Sequence, residues 1–377
     1  MIAEFDAVHQ LVPSVVDGDA VSAHSLQVQR LLRDLGLASE IYVQDVAASN
    51  AGHVHPLRSF KPGPRTALVY QLAIGSAVAD ELIPLAERGT RLVVNYHNLT
   101  PPDFFRPWLD PVTEPLAWGG RQLAKLAWWA GLGIGVSAFN ERDLVACGYR
   151  RTAVAPILLD TDRFATEEDE ATAARLQAAR ERGGHDWLFV GRIAPNKAQH
   201  DLVRAFALYR RTVDPEARLH LVGGSSSRLY RRMVRRLVAG LGLDGAVDLT
   251  GPVSSATLAA HYRHADVFVC LSDHEGFCVP LLEAFHHDLP VVAYDAGAVG
   301  ETLGRGGVLL DDKSPAVVAT AVERVLHDPA LRAGLVAAGR ARLADFSLDA
   351  TRAAFRDALE QLPLVEPDDP DDPEDAP

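Results

Sequence analysis

Val267-Phe268-Val269-Cys270-Leu271-Ser272-Asp273-His274-Glu275-Gly276-Phe277-Cys278-Val279-Pro280-Leu281-Leu282-Glu283 is the stretch on which the reading of this chain turns. An apolar run of strand length, Val267–Leu271, gives way to a loop containing Gly276. Pro280 suits the first turn of a helix, where its missing N–H costs nothing, so the helix is expected to start at about Val279. The backbone amides of Gly276, Phe277 and Cys278 are then left open, and free N–H groups at a helix start form an anion site suited to a diphosphate. Glu275 in the loop and Glu283, expected on the helix's first turn, stand eight positions apart. Carboxylates accept hydrogen bonds from vicinal hydroxyls, so the pair could grip two sugars, Glu283 a ribose and Glu275 a hexose. The other reading of Glu283 is that it complements the helix dipole.

Outward from this stretch, short apolar runs alternate with longer amphipathic ones, the pattern of β-α-β units and parallel sheets. In the first half strands are expected near Ala7–Leu11, Glu40–Val43, Thr66–Gln71, Arg91–His97, Leu132–Val136 and Thr152–Pro156. The first helix, Ala20–Leu35, is closed by Gly36. A charged, Ala-rich stretch at Asp160–Asp186 reads as a domain boundary, and a second series follows at Trp187–Val190, Arg218–Val222, Ala246–Leu249, Val267–Leu271, Val291–Tyr294 and Gly307–Leu310. A last helix, Leu348–Leu362, comes after the second sheet is complete. The fold class is therefore α/β, two doubly wound Rossmann-like domains facing a cleft, with ligands expected outside the carboxyl ends of the strands.

A length of 377 residues fits two domains, and 48% apolar with 23% charged residues is ordinary for a folded globular chain. Seven of the thirteen net negative charges lie in Glu366–Pro377, which reads as a disordered acidic tail and leaves about −6 for the rest. No basic footprint for nucleic acid is visible, and the basic run Arg228–Arg236 reads as the solvated face of a helix. Three cysteines without a C-x-x-C pattern support neither a disulfide framework nor structural zinc. With acidic residues where an export signal would carry positive charge, a cytoplasmic location is expected. Trp108, Trp118, Trp128 and Trp129, with Arg121 and Lys125 between them, read either as an interfacial helix making peripheral membrane contact or as a helix packed on the first sheet; the acidic balance favours packing.

Three further motifs follow predicted strands. Arg192 and Lys197 lie five apart in Val190-Gly191-Arg192-Ile193-Ala194-Pro195-Asn196-Lys197, across a proline-containing turn. Two fixed cations would neutralise the charge that builds on a departing diphosphate; the other reading is a capped helix start with exposed charges. His97 and Asn98 follow a first-domain strand in Asn95-Tyr96-His97-Asn98-Leu99-Thr100, with His97 either structural or a hydrogen-bonding group at a cleft edge. Gly18 in Asp17-Gly18-Asp19 permits close backbone approach, while Asp19 could equally cap the first helix. The histidine pairs His53/His55, His261/His264 and His286/His287 lack a third ligand, so no metal is expected.

Taken together, Arg192 with Lys197, then Glu275 with Glu283, preceded by the glycine loop and His97, resemble family 4 of the retaining GT-B glycosyltransferases. The resemblance spans Val8 to about Leu362 and includes YHNLTPPDFF, VGRIAPNK, HEGFCVPLLEA and VVAYDAGAVGETLG. It implies an N-terminal acceptor domain over residues 1–160, a nucleotide-sugar donor domain over 161–345, a helix at 346–362 crossing back to the first domain, and a tail at 365–377. It implies a retaining, metal-independent hexosyltransferase without a cofactor, using a nucleoside-diphosphate sugar and a glycan, lipid-linked or small-molecule acceptor. By the same resemblance Arg192 and Lys197 hold the diphosphate, Glu283 the ribose, and Glu275 with the Gly276, Phe277 and Cys278 amides the donor sugar and phosphates. His97 contacts the hexose near the reacting carbon, Gly18 and Asp19 line the donor site, and Asn98 and Thr100 face the acceptor. Two departures stand out: Asp17-Gly18-Asp19 replaces a Gly-Gly pair, and Cys278 replaces a small glycine. A GT-B-like epimerase and a non-catalytic nucleotide-sugar binder are the alternative readings. A dehydrogenase is disfavoured because no G-x-G-x-x-G follows a strand.

Overall fold

In the computed structural model the described residues are 4–16, 19–44, 46 and 54–363. Gly18, His53 and the tail at 365–377 lie outside them.

Packing divides the chain into two units, one of Met1–Leu99, Pro115–Leu159 and Asp349–Pro377, the other of Thr100–Glu114 and Asp160–Leu348. In the first unit, Rossmann alternation begins with β1 (Ala7–Val12), α1 (Ala20–Asp34), β2 (Ile41–Val43) and β3 (His55–Pro56). It continues through β4 (Thr66–Leu72), α2 (Leu82–Glu87), β5 (Arg91–Tyr96), α3 (Thr113–Leu126), β6 (Ala130–Gly135), α4 (Ala138–Ala146) and β7 (Thr152–Val154). The seven strands are parallel, in the order β3-β2-β1-β4-β5-β6-β7. β3, two residues long, has no counterpart in the sequence reading, because His55-Pro56 carries no apolar run to announce it.

The second unit opens with α5 (Glu170–Arg180), β8 (Asp186–Val190), α6 (Gln199–Thr212), β9 (Arg218–Val222), α7 (Arg228–Gly240) and β10 (Val247–Gly251). It closes with α8 (Ser255–His264), β11 (Val267–Cys270), α9 (Val279–His286), β12 (Val291–Tyr294), α10 (Val299–Leu303), β13 (Gly307–Leu310), α11 (Pro315–His327) and α12 (Pro329–Ala344). Its six parallel strands run β10-β9-β8-β11-β12-β13. Trp187 is fully buried in its core with Phe206 and Tyr209 at ring distances of 5.5 and 5.0 Å. Such aromatic pairs are worth about 0.5–1.5 kcal/mol each beyond their buried area.

The last helix, α13 (Leu348–Leu359), groups from Asp349 onward with the first unit. Phe355 is fully buried there, edge-on to His24 at 5.6 Å, and Arg352 pairs with Asp34. Thr100–Glu114 departs from the expected division, since it groups with the second unit, where Trp108 meets Tyr230 edge to face at 5.0 Å. The four tryptophans therefore do not form one helical face: Trp108 is in the second unit, Trp118 in α3, and Trp128 lies past the end of α3 beneath the Arg150 guanidinium. On α7, Arg228, Arg232, Arg235 and Arg236 are exposed, while Tyr230, Val234 and Val238 are buried, the amphipathic face expected of that run.

Candidate functional site

Both sheets reverse their strand order at one place, between β1 and β4 in the first unit and between β8 and β11 in the second. Crossover helices leave in opposite directions at such a point, so a crevice opens outside the carboxyl ends of the two strands. In the second unit the loops leaving β8 and β11 carry Gly191–Lys197 and Leu271–Cys278, the two motifs singled out above.

The geometry ties these loops together. Asn196 O accepts the Asp273 N–H at 2.8 Å, and the Asn196 amide donates to His274 O at 3.3 Å. Lys197 Nζ donates to both carboxylate oxygens of Glu275 at 2.6 Å, with Glu275 only 7% exposed. Burial alone would pull the Lys197 ammonium down, but the Glu275 carboxylate beside it outweighs burial and the Lys197 pKa is raised. Removing one partner of such a buried pair costs about 3–5 kcal/mol, because the other charge is left uncompensated. Glu275 is held from behind as well, its carbonyl accepting the Ala298 N–H at 2.8 Å. Gly297 makes that approach possible: its φ is +63°, and a Cβ there would lie 2.3 Å from Glu275 O.

α9 starts at Val279, with Pro280 in its first turn. Its cap, Cys278, sits at φ +74°, a left-handed conformation that a non-glycine residue adopts at a cost of about 1–2 kcal/mol. The N–H groups of Phe277 and Cys278 meet no acceptor among the described residues, whereas Phe277 O is held by the Thr302 hydroxyl at 2.5 Å. Glu283 lies in the second turn of α9, not the first: the helix starts at Val279 as expected, and Glu283, its fifth residue, falls past the 3.6 residues of the first turn. The Tyr262 hydroxyl donates to Glu283 Oε2 at 2.7 Å. Burial raises the Glu283 carboxyl, with the Tyr262 hydrogen bond and the Arg163 charge acting against it. Arg192 is exposed and its guanidinium has no partner among the described residues, while its carbonyl accepts from the Gln199 amide at 2.9 Å.

In the first unit His97 follows β5 directly, and its Nε2 lies 2.7 Å from Gln71 Oε1. Burial lowers the His97 pKa to about 4 against the opposing charge of Asp19, so the ring is neutral at pH 7. Asp19 is the N-cap of α1, its carboxylate accepting the Ser22 N–H and hydroxyl at 2.9 Å each. Asn98 adopts φ +84° at the end of the first unit's β5 loop, and Thr100 belongs to the second unit.

Sequence reasoning missed Tyr262, Gln71 and Lys313. Lys313 Nζ bonds Asp201 at 2.8 Å, also meets Asp273, and lies over the Tyr294 ring at 5.2 Å, tying α6 to the loops after β11 and β13. Its signal was available, because lysine is the rare cation here, with 4 against 33 arginines. For a metal, the described residues bring together one group, Cys270 Sγ, Glu275 and Cys278 Sγ within 4.8 Å, and its carboxylate is already engaged by Lys197.

Residues 173–342 match the family of glycosyl transferases group 1. A D-inositol 3-phosphate glycosyltransferase from Geodermatophilus obscurus is 36% identical over 226 residues, covering 56% of this chain and 49% of that protein. A GDP-mannose-dependent alpha-(1-6)-phosphatidylinositol monomannoside mannosyltransferase from Mycolicibacterium smegmatis is 34% identical over 192 residues, covering 48% of this chain and 49% of that protein. The chain thus spans about half the length of the curated relatives it matches. Among solved structures, a sucrose-phosphate synthase from Thermosynechococcus elongatus superimposes with a TM-score of 0.73 at 20% identity, covering 94% of this chain and 99% of that one. HepE from Anabaena, in complex with UDP and glucose, gives 0.71 at 17% identity, covering 94% and 100%. At these identities the likeness shows the fold, two Rossmann-like units of GT-B type.

Proposed function

We propose that this chain, whose residues 173–342 belong to the glycosyl transferases group 1, transfers a hexose from a nucleoside-diphosphate sugar to an acceptor hydroxyl, with retention and without a metal. One observation carries the reading: Lys197, Glu275 and the open amino end of α9 converge where the strand order of the second sheet reverses.

The diphosphate is assigned to the Phe277 and Cys278 amides, the unpartnered Arg192 guanidinium and Lys197. As the glycosidic bond breaks, negative charge grows on the leaving phosphate, and donors already fixed there stabilise it without reorganising. Lys197 passes from Glu275 to the phosphate, which frees the Glu275 carboxylate for hexose hydroxyls. Glu283, held by Tyr262, takes the ribose diol. His97 is assigned to the hexose and Asn98 and Thr100 to the acceptor side. Cationic residues and amides supply what a divalent ion would, so no metal is required. The Mycolicibacterium relative is named for GDP-mannose and the Anabaena structure holds UDP, which supports a nucleotide-sugar donor and leaves the base to experiment.

The test is incubation of purified protein with UDP-, GDP-, ADP- and TDP-sugars and a panel of acceptors, the anomeric configuration of the product read by NMR. Transfer with retention, undiminished by EDTA, is expected. Donor epimerisation, or binding without turnover, would replace the reading with one of the two alternatives.

A further inference from the structure

Gln10, Gln71 and Asn95 sit fully buried on the neighbouring strands β1, β4 and β5, among valines, leucines and tyrosines. Buried amides are costly unless bonded, and these bonds have a direction. Ser25 O, a backbone acceptor with no second setting, receives Gln10 Nε2 at 2.8 Å. Gln10 Oε1 therefore faces Gln71 Nε2 at 2.8 Å, and Gln71 Oε1 faces His97 Nε2 at 2.7 Å while also accepting from Asn95 Nδ2 at 2.8 Å. An acceptor opposite Nε2 puts the imidazole proton on Nε2. Nδ1 is then a bare acceptor, and it is buried without a partner among the described residues.

We propose that Gln10 and Gln71 are positioning residues that hold His97 as the Nε2–H tautomer, so that Nδ1 is presented to accept a hydroxyl of the bound sugar. The role of Nδ1 rests on the assignment of His97 under the proposed function; the tautomer does not. The far end of the network asks for the opposite polarity. His24 Nδ1 accepts the Leu158 N–H at 3.0 Å, which places its own proton on Nε2, 2.7 Å from Asn95 Nδ2. That mismatch stays at Asn95, whose Oδ1 has no partner among the described residues. Turning Asn95 alone would only move the mismatch, setting its Oδ1 against Gln71 Oε1, whereas reversing the chain turns three amides, sets Gln10 Oε1 against Ser25 O and leaves a buried Nδ1–H on His97 with no acceptor among the described residues. The two polarities give opposite tautomers at His97.

Long-range proton–nitrogen NMR on the full chain labelled with 15N-histidine reads the tautomer directly, the His97 signals being assigned by their loss in His97→Asn. The wild type is expected to show one tautomer, protonated at Nε2, from pH 8 down to about pH 5, consistent with a His97 pKa of about 4. Gln71→Leu and the milder Gln10→Met should give averaged tautomer signals, whereas Gln71→Glu, which keeps the acceptor, should restore the single form. In turnover both disruptive variants should lose about tenfold in kcat at unchanged donor KM. An Nδ1–H tautomer in the wild type, or one unmoved in Gln71→Leu and Gln10→Met, would overturn the proposal. Since the tautomer is read without substrate, its failure is separate from a failure to find transferase activity.

Discussion

Tyr262 shows what a single hydroxyl contributes. It is fully buried, stacked on His287 at 5.2 Å, and its one proton goes to Glu283 Oε2. That bond favours the charged carboxylate in a place where burial favours the neutral acid. A hydrogen bond to a charged group is worth about 1.5–3 kcal/mol, so Tyr262→Phe should weaken binding of the cognate nucleoside diphosphate by about tenfold or more. Inorganic pyrophosphate, which has no ribose, should bind Tyr262→Phe as it binds the wild type; calorimetry separates the two ligands. Without the tyrosine proton the Glu283 pKa rises further, so nucleotide binding by the variant should fail at a higher pH as the solution is acidified. Glu283 itself was legible in the sequence from its spacing to Glu275. Tyr262 was not, because a lone tyrosine on a helix, here between His261 and Arg263, looks like any core aromatic until the fold brings its hydroxyl to Glu283 of α9.

At the scale of elements, the loop after β11 depends on a glycine outside it. Gly297 allows the loop after β12 to lie against Glu275, and Gly297→Ala would combine a positive φ with a contact of 2.3 Å against a backbone oxygen. A loss of about 1–3 kcal/mol is expected from the backbone strain, with donor affinity falling as Glu275 shifts; a denaturant midpoint and a nucleotide titration measure the two. Strand and helix positions were readable because the period of the apolar residues changes from element to element, and Pro280 fixed the start of α9 at Val279. What escaped was decided by tertiary packing. Thr100–Glu114 follows β5 in sequence, yet Trp108 is captured by Tyr230 of the second unit. Likewise Asp19 offered two readings from sequence, and the structure shows the cap.

Across the whole molecule, each unit carries histidines that stay neutral inside it: His24 and His97 in the first, His261 and His287 in the second. Burial, the largest cause for all four, lowers their pKa values, to about 4 for His97, His261 and His287. A histidine depressed in the folded state binds fewer protons there than when unfolded, so stability is complete above about pH 6.5 and falls as pH drops toward 4. Thermal melts across that range should show Tm declining steadily from pH 7 to pH 4.5; a flat profile would mean that these rings gain protons without unfolding. No helix among the described residues is long and apolar enough to cross a membrane. The strand order of the second sheet locates the proposed donor site more firmly than any one residue does, since it explains why the loops after β8 and β11 meet.

For a nucleoside diphosphate bound at those loops, as proposed, Arg192 offers the cleanest probe, being exposed and without a side-chain partner among the described residues whose loss would disturb the fold. Calorimetric titration of wild type and Arg192→Ala with UDP and GDP, in the presence of EDTA, tests that binding directly. One of the two nucleotides should bind the wild type at one site per chain, and Arg192→Ala should bind it about tenfold or more weakly with an unchanged Tm. Binding of neither nucleotide, or equal affinity in the two proteins, would contradict the account.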